Sequence, residues 1–314
     1  MANVLVTGGA GFIGSHLVWT LLERGDVVRV LDNFSTGRRE NLEYLRDYTR
    51  SGRLDVLEGD LRDPARVREA VRDMEVIFHQ AAFVSPPKSM ADPQTCFEVN
   101  VQGTNTLLEA ARQAGIRRVL LASSAAVYGE AEIFPLTEDI LARPLSPYAA
   151  SKHSNEIYAD LYTRVFGLEV AVLRYFNVYG PRQSLDSEYA AAIPIFLLQF
   201  IAGQPVTVYG DGKQTRDLIY VADVVQANLL AAEHPEAAGQ VINICTGREA
   251  SLLDLLAVLK TLFPVSPEPV FDQPRPGDIY RSVGSPQRAA QILGFHAQTS
   301  LADGLRQMLE WMRR

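Results

Sequence analysis

The chain is poor in cysteine. Among its 314 residues only Cys96 and Cys245 carry thiols, far apart and without ligand-like neighbours. Two such residues make neither a disulfide framework nor a metal site by spacing, and buried thiols are the expectation. No long run of lysine or arginine occurs, and the formal charge is -7. That disfavours a nucleic acid or an anionic membrane surface as the main partner, although a local basic pocket for a phosphate stays open. The apolar stretches are too short to span a bilayer. No charged-then-apolar leader comes before "VLVTGG", so the expected location is the cytoplasm. Internal repeats and low-complexity linkers are absent as well. What the chain does have is apolar residues, 47% of the total. That is enough to bury a large core in one large α/β domain or two smaller ones.

The first half alternates short apolar runs with helical patterns. "NVLVTG", "VVRVLD", "RLDVLEGD", "VIFHQAA", "RRVLLASS" and "EVAVLRYFNVYG" read as strands. Between several of them lie helices, among them "GSHLVWTLLERG", "DPARVREAVRD", "NVQGTNTLLEAARQAG" and "PYAASKHSNEIYADLYTRVFG". This alternation implies an α/β fold, a doubly wound parallel sheet with helices on both faces. After about Gly180 the rhythm changes to turn-rich pieces, and Pro264 to Gly284 is rich in proline, glycine and charge. Residues 1–180 are therefore read as the nucleotide-binding domain and 181–314 mainly as a smaller cap, the two interleaved.

"VTGGAGFIGSH" places Gly8, Gly11 and Gly14 between the first strand and the first helix. Glycine lets the backbone turn tightly and approach a pyrophosphate. The helix N-terminus then offers N–H groups and a partial positive charge to that anion. A lone glycine pattern is also what an ordinary strand-to-helix turn can show. Here Asp32, 18 residues beyond Gly14, ends the second strand. A carboxylate at that spacing binds the adenosine ribose hydroxyls and repels a 2′-phosphate, which points to NAD rather than NADP. Arg38 and Arg39 follow and are read as solvated surface charge.

"SPYAASK" sets Tyr148 and Lys152 one helical turn apart, on one face. Ser146 is the expected N-cap and Pro147 the first helical residue. Alone, such a pair is equally a packed tyrosine and a solvated lysine. With "TGGAGFIG", "SSAAVYG" and "RYFNVYGPR" in the same order, the chain resembles the extended short-chain dehydrogenase/reductase family over nearly its whole length. Within it the UDP-glucose 4-epimerase group, including members acting on UDP-N-acetylhexosamines, is the nearest match.

The resemblance implies a catalytic trio of Ser124, Tyr148 and Lys152. An ordinary phenol, with a pKa of about 10, is a poor base at neutral pH. A nearby ammonium, the helix N-terminus and an oxidised nicotinamide would favour phenolate, able to take a proton from a sugar hydroxyl. The resemblance also implies NAD contacts at Phe12, Ile13, Asn33, Asp60, Leu61, Ala81, Ala82, Asn100 and Tyr175. For the substrate it implies Asn177 near the diphosphate and sugar, Arg216 and Arg275 as a diphosphate clamp, and Asp278 on the nucleotide ribose. Ala192, Ile193 and Tyr209 would line a uracil pocket. Guanidinium forks suit phosphate oxygens. Where some epimerases have a lysine after the "AA" stretch, this chain has Val84, with Ser85 and Lys88 nearby, so its grip on NAD could differ.

Fold-mates of this kind include epimerases, dehydratases, decarboxylases and reductases. Dehydratases usually carry an Asp-Glu pair after the serine or threonine, and decarboxylases a glutamate. Here Ala125-Ala126 follow Ser124. The simplest chemistry left is oxidation and reduction at one carbon, a 4-epimerisation of a UDP-hexose. Ser282, four residues after Asp278, falls at a position that borders the sugar C2 pocket in the family; its small side chain either admits an N-acetyl group or is merely a loop residue. The alternatives are a UDP-glucuronate 4-epimerase, which tends to have threonine at the Asn177 position, another nucleotide-sugar oxidoreductase or dehydratase, and a non-catalytic NAD sensor. In the family, helices at Asn100–Gly115 and Pro147–Gly167 pair to form a homodimer, and the same is expected here.

Overall fold

The computed structural model describes residues 1–184, 192–264, 267–274 and 279–313. Arg275 and Asp278, two of the expected substrate contacts, lie outside the described residues. Seven parallel strands make the central sheet: β1 (Asn3–Thr7), β2 (Val27–Asp32), β3 (Leu54–Glu58), β4 (Val76–His79), β5 (Arg118–Ser124), β6 (Glu169–Tyr175) and β7 (Val241–Ile244). Their order across the sheet is 3-2-1-4-5-6-7. The strand order reverses between β1 and β4, and open α/β sheets bind ligands at such a point. β7 was not anticipated; it comes from the second half of the chain and extends the sheet beyond β6.

Strand side chains alternate between two apolar layers. Val4, Val6, Val28 and Val30 face helices Phe12–Arg24 and Val221–Glu233. Leu5, Leu31, Ile77, Val119 and Val172 face helices Pro64–Val71, Gly103–Ala114 and Pro147–Phe166. Both faces are covered, which explains strands that read as nearly continuous apolar runs. Each fully buried Val or Leu contributes roughly 1.5–3 kcal/mol. Helix ends follow local chemistry. Asp63 accepts from the backbone N–H groups of Ala65 and Arg66, with Pro64 in the first turn. Gly25, Gly115 and Gly167 end their helices with positive φ, where a Cβ would be strained.

Three local readings change. "EVAVLRYFNVYG" is two strands. The chain leaves the main sheet at Phe176, whose N–H reaches the Ile244 carbonyl; Asn177 N–H then donates to the Asp217 carbonyl, and Asn177–Tyr179 pairs with Leu218–Tyr220 in a small second sheet. Among the segments after Gly180 read as turn-rich pieces, "YVADVV" is the start of a regular helix, Val221–Glu233, directly after the strand Leu218–Tyr220. The helix expected from Asn100 opens with a π-type turn, Glu98–Gln102, before the regular segment Gly103–Ala114.

The cap is built from helices Ala192–Ile201, Leu252–Leu262 and Leu301–Met312 around Phe196, Leu197, Val208, Leu256 and Met308. No described helix is long and apolar enough to cross a membrane. Asp217 joins the crossings between cap and sheet. It is fully buried and accepts from the N–H groups of Thr246, Gly247 and Gly284 and from the Thr246 hydroxyl. Replacing it with alanine leaves those donors buried and unpaired. Asp217→Ala is expected to lower unfolding free energy by about 3–6 kcal/mol, read from chemical denaturation; a change within 1 kcal/mol would contradict the assigned role.

Candidate active site

The glycine loop runs from the end of β1 into helix Phe12–Arg24. Gly8 has φ +69°, and a Cβ on it would stand 2.7 Å from the backbone nitrogen of Ala81. A Cβ on Gly14 would overlap the Gly8 carbonyl. These glycines therefore hold the loop close to the end of β4, at the reversal of strand order. Gly11 is the N-cap and no side chain caps the helix. The first-turn N–H groups, including those of Phe12 and Ile13, are thus suited to an anion.

Asp32 ends β2 and is 7% exposed. Its Oδ2 accepts from Ala10 N–H at 2.9 Å and its Oδ1 from Phe34 N–H at 2.8 Å. Burial raises its pKa, and the amides of Phe34 and Ala10 draw it back down. Both oxygens keep lone pairs, so the carboxylate suits a pair of ribose hydroxyls. Uncapped helix, close glycine backbone and buried acceptor together fit a dinucleotide.

The other expected cofactor residues divide. Ala81 and Ala82 follow β4 beside Gly8, and Ala81 N–H reaches the Thr7 hydroxyl at 3.3 Å. Asn100, buried within its π-type turn, clamps Phe83 by accepting from its N–H at 2.7 Å and donating to its carbonyl at 3.0 Å. Leu61 is buried in the core layer on that side. Asp60 is already held by Arg62, at 2.9 Å, and by Asn33, at 2.8 Å. The side-chain bond from Arg62 is the main reason its carboxyl lies well below the usual range. Tyr175 is buried and its hydroxyl is bonded to Asn228 and Gln80. Arg39 is exposed, as read from the sequence, and its guanidinium lies 4.0 Å above the Phe34 ring and pairs with Glu58 at the surface.

Ser124 ends β5 and Tyr148 opens helix Pro147–Phe166. Ser146 caps that helix through Ala149 N–H, and Pro147 sits in the first turn, as expected. A second hydroxyl, that of buried Ser89, accepts from Tyr148 N–H at 3.0 Å. Lys152 lies one turn further on and donates to the Ala122 carbonyl at 2.8 Å. Its ammonium is 5.9 Å from the centroid of the Tyr148 ring. The Ser124 hydroxyl acts on the Tyr148 phenol, drawing its pKa down against the upward pull of burial.

Electrostatics correct one expectation. Burial raises the Tyr148 pKa, the Ser124 hydroxyl draws it back, and Cys96 adds a smaller upward push. The protein's own groups therefore hold a neutral phenol. Lowering it requires positive charge from an oxidised nicotinamide. Lys152 is 5% exposed, and burial brings its pKa down to about 8, opposed by Cys96 and Glu156.

On the cap side, strand Thr215–Arg216 pairs with Arg281–Ser282, which brings Arg216 and Ser282 opposite each other. Arg216 donates to the Thr215 carbonyl at 2.8 Å. Asn177 is exposed, Ala192 and Tyr209 are half-buried, and Ile193 belongs to the cap core. The strand bearing Ser282 is fastened on its far side too: Leu136 N–H reaches Val283 and Ser285 N–H reaches Leu136, each at 2.8 Å.

Ser89, Ser123, Glu156 and Arg174 were missed in the sequence. Ser123 is one residue before Ser124, and Glu156 one turn beyond Lys152. Both spacings were available as signals.

A family model described as the NAD dependent epimerase/dehydratase family matches residues 4–245. The chain belongs to that family; it is an NAD-dependent enzyme of the epimerase type, an isomerase. It is 40% identical over 314 residues to the UDP-glucose 4-epimerase of Mycolicibacterium smegmatis, covering 99% of this chain and 98% of that one. It is similar to a UDP-N-acetylglucosamine 4-epimerase from Methanobrevibacter ruminantium, solved with UDP-N-acetylmuramic acid, with a TM-score of 0.94, 36% identity and coverage of 99% and 98%. A UDP-glucose 4-epimerase from Thermotoga maritima, solved with UDP-glucose, superposes with a TM-score of 0.92 at 38% identity, covering 99% and 98%.

Asp32→Ala removes the charged acceptor at the cofactor ribose. NAD affinity is expected to fall roughly 10- to 100-fold and preference over NADP to shrink. Titration of the apoprotein with each dinucleotide measures both, and unchanged affinity would remove Asp32 from the cofactor site.

Proposed function

We propose that the chain inverts C4 of a UDP-hexose, interconverting UDP-glucose and UDP-galactose, and that it accepts the N-acetylated pair as well. The observation that carries this reading is the convergence of Ser124, Tyr148 and Lys152 beside the dinucleotide cradle, with Ala125 and Ala126 in place of an acid or base directly after Ser124 in the chain. Ala125 and Ala126 begin a short 3₁₀ turn whose Ala126 N–H is held by Ser124 Oγ at 3.2 Å. An elimination or a decarboxylation needs an additional carboxylate at that place, and two methyl groups cannot supply it.

Bound NAD supplies the electron-pair acceptor and donor at the sugar carbon. Tyr148 takes the proton of the C4 hydroxyl as that carbon is oxidised to a ketone. Ser124 hydrogen-bonds the same oxygen. Lys152 keeps positive charge beside the phenol oxygen. After the 4-keto sugar turns over in the cleft, Tyr148 returns the proton to the oxygen on the inverted carbon. The two electrons removed are the two returned, so no reduced cofactor accumulates. Arg216 suits the diphosphate, and Asn177 the region between diphosphate and sugar. Arg275, Asp278, Ala192 and Tyr209 complete the proposed nucleotide contacts, with Ile193 supporting that wall from the core. Such anchors hold the nucleotide while the sugar rotates.

The same helix presents a second surface. Ile157, Tyr158, Leu161 and Val165 are exposed along one face of Pro147–Phe166. A groove beside its first turns is lined by Pro93, Phe97, Val101, Pro147, Ala150, Ser151 and Ser154. This apolar stripe supports a homodimer built on these helices.

Two outcomes test the reading. Incubation with UDP-glucose is expected to give UDP-galactose without net absorbance from released NADH. Tyr148→Phe is expected to lower that turnover ~10²- to 10⁴-fold; unchanged turnover removes Tyr148 from catalysis. Ser282→Tyr is expected to abolish turnover of UDP-N-acetylglucosamine while leaving UDP-glucose within about threefold. Retained N-acetyl turnover in that variant would show that position 282 does not border the C2 group.

A further inference from the structure

Beneath the proposed trio lies a buried ion pair with no part in the proton transfer. Glu156 and Arg174 side chains are 4% and 6% exposed. Arg174 donates to both Glu156 oxygens, Nε to Oε1 at 2.8 Å and Nη2 to Oε2 at 2.7 Å. The Ser123 hydroxyl donates to Oε1 at 2.6 Å. The two partners lie next to site residues. Ser123 precedes Ser124 on β5, and Arg174 precedes Tyr175 on β6. Glu156 lies one turn beyond Lys152 and two beyond Tyr148 on the same helix.

We propose that Glu156 is a positioning residue for the reaction: through Ser123 and Arg174 it fixes the helix carrying Tyr148 and Lys152 against the strand ends carrying Ser124 and Tyr175. The inference rests on the catalytic reading of Tyr148 given above. A short helix slide or roll would part the phenol from the Ser124 hydroxyl. The Lys152 bond to Ala122 and the Glu156 bond to Ser123 grip β5 at two points one helical turn apart, and Arg174 adds a third from β6. Packing alone allows small slides; a two-pronged guanidinium–carboxylate contact does not, because both bonds are directional.

Glu156 also sets the charge around Lys152. The groups facing that ammonium are His79 on β4, Cys96 in the helix Pro93–Phe97, and Tyr148 and Glu156 on its own helix. Burial, aided by the Lys152 charge, brings His79 to about 3, so it stays neutral. Burial also raises the Cys96 thiol, which Ser151 and Lys152 oppose, and it too stays neutral. Tyr148 is a neutral phenol. Glu156 is then the anion that holds charge on Lys152. Arg174 from β6 and His153 from its own helix face Glu156 in turn.

Three variants test the proposal in the NAD-loaded protein, beside Tyr148→Phe as the control. Ser123→Ala keeps the ion pair and removes one tether; kcat is expected to fall ~10-fold with KM within about twofold. Glu156→Gln/Arg174→Met removes both buried charges together, so that neither is left unpaired. Its kcat is expected to fall ~100-fold with bound NAD unchanged. Glu156→Gln alone removes the anion facing Lys152 and leaves Arg174, so the alkaline limb of its pH–kcat profile is expected at lower pH than in the wild type; the double variant, which lacks the same anion, is expected to show that shift as well. Should Glu156→Gln not fold, the other two variants decide. Wild-type kcat in folded Ser123→Ala and in the folded double variant overturns the proposal. So does a loss that vanishes when rates are divided by NAD-loaded enzyme, which would mark a purely structural role. Full activity in Tyr148→Phe would instead sink the catalytic reading itself.

Discussion

A buried ammonium bonded to a backbone carbonyl is the contact on which the site depends. Lys152 reaches the Ala122 carbonyl at 2.8 Å, two residues before Ser124. That bond ties the helix to the strand at the height where their functional groups must meet. An ammonium taken out of water is costly unless its donors are used. Here the cost appears as the fall of its pKa to about 8, with burial the largest cause. The site keeps the lysine close to discharge and the tyrosine above its ordinary value. Neither shift suits a base working alone. Both suit a site completed by a cationic ring, because one added positive charge lowers the phenol without any movement of the protein. On the proposed reading, cofactor binding and activation of the tyrosine become one event.

The cofactor half answers a different constraint, that of space. The ends of β1 and β4 approach so closely that glycine is required at position 8, where a Cβ would come within 2.7 Å of Ala81 nitrogen. Close strands leave the uncapped helix end facing the cleft at the reversal of strand order. Asp32 is aimed by the backbone amides of Ala10 and Phe34. Its acceptor capacity is directed outward, toward a ligand that can donate. Asp60 shows the contrast. Arg62 and Asn33 already use its oxygens, and it serves first to shape the turn after β3.

What was legible in the sequence was local. Alternating apolar runs, the Ser146-Pro147 start and glycine stops each act within a few residues, so strands, helices and the glycine loop could be read directly. Residues whose partners are remote could not. Nothing near Phe176 announces that the chain changes sheets there, because the cause is Asp217 some 40 residues on. β7 was overlooked because "VINI" follows a helix in the half read as cap, and its place is set by β6. The π-type turn at Asn100 exists for its clamp on Phe83, a contact between segments. Tyr175 and Ile193 were assigned to ligands by resemblance; the contacts of their side chains with a polar network and with the cap core come from remote segments. The trio could be named only because several motifs occurred together in order; the Glu156–Arg174 pair beneath it carries no motif of its own.

On the proposed reading, substrate choice follows from how the cap wall is held. The strand bearing Ser282 is bonded along one edge to Thr215–Arg216 and along the other to Leu136. Leu136 belongs to the segment that follows Ser124, so the proposed sugar pocket is walled by a strand pinned to the catalytic domain. Beyond that strand, Arg281 stacks 4.5 Å above the Phe134 ring and pairs with Glu249. A wall held on both edges resists widening for a larger C2 substituent. Discrimination must then come from the volume of the side chains it presents. Because the wall and Ser124 are joined through the same short segment, the geometry that admits the sugar and the geometry that reacts with it cannot be tuned separately by backbone movement. Side-chain replacement at the wall is the only inexpensive route by which this architecture changes its sugar.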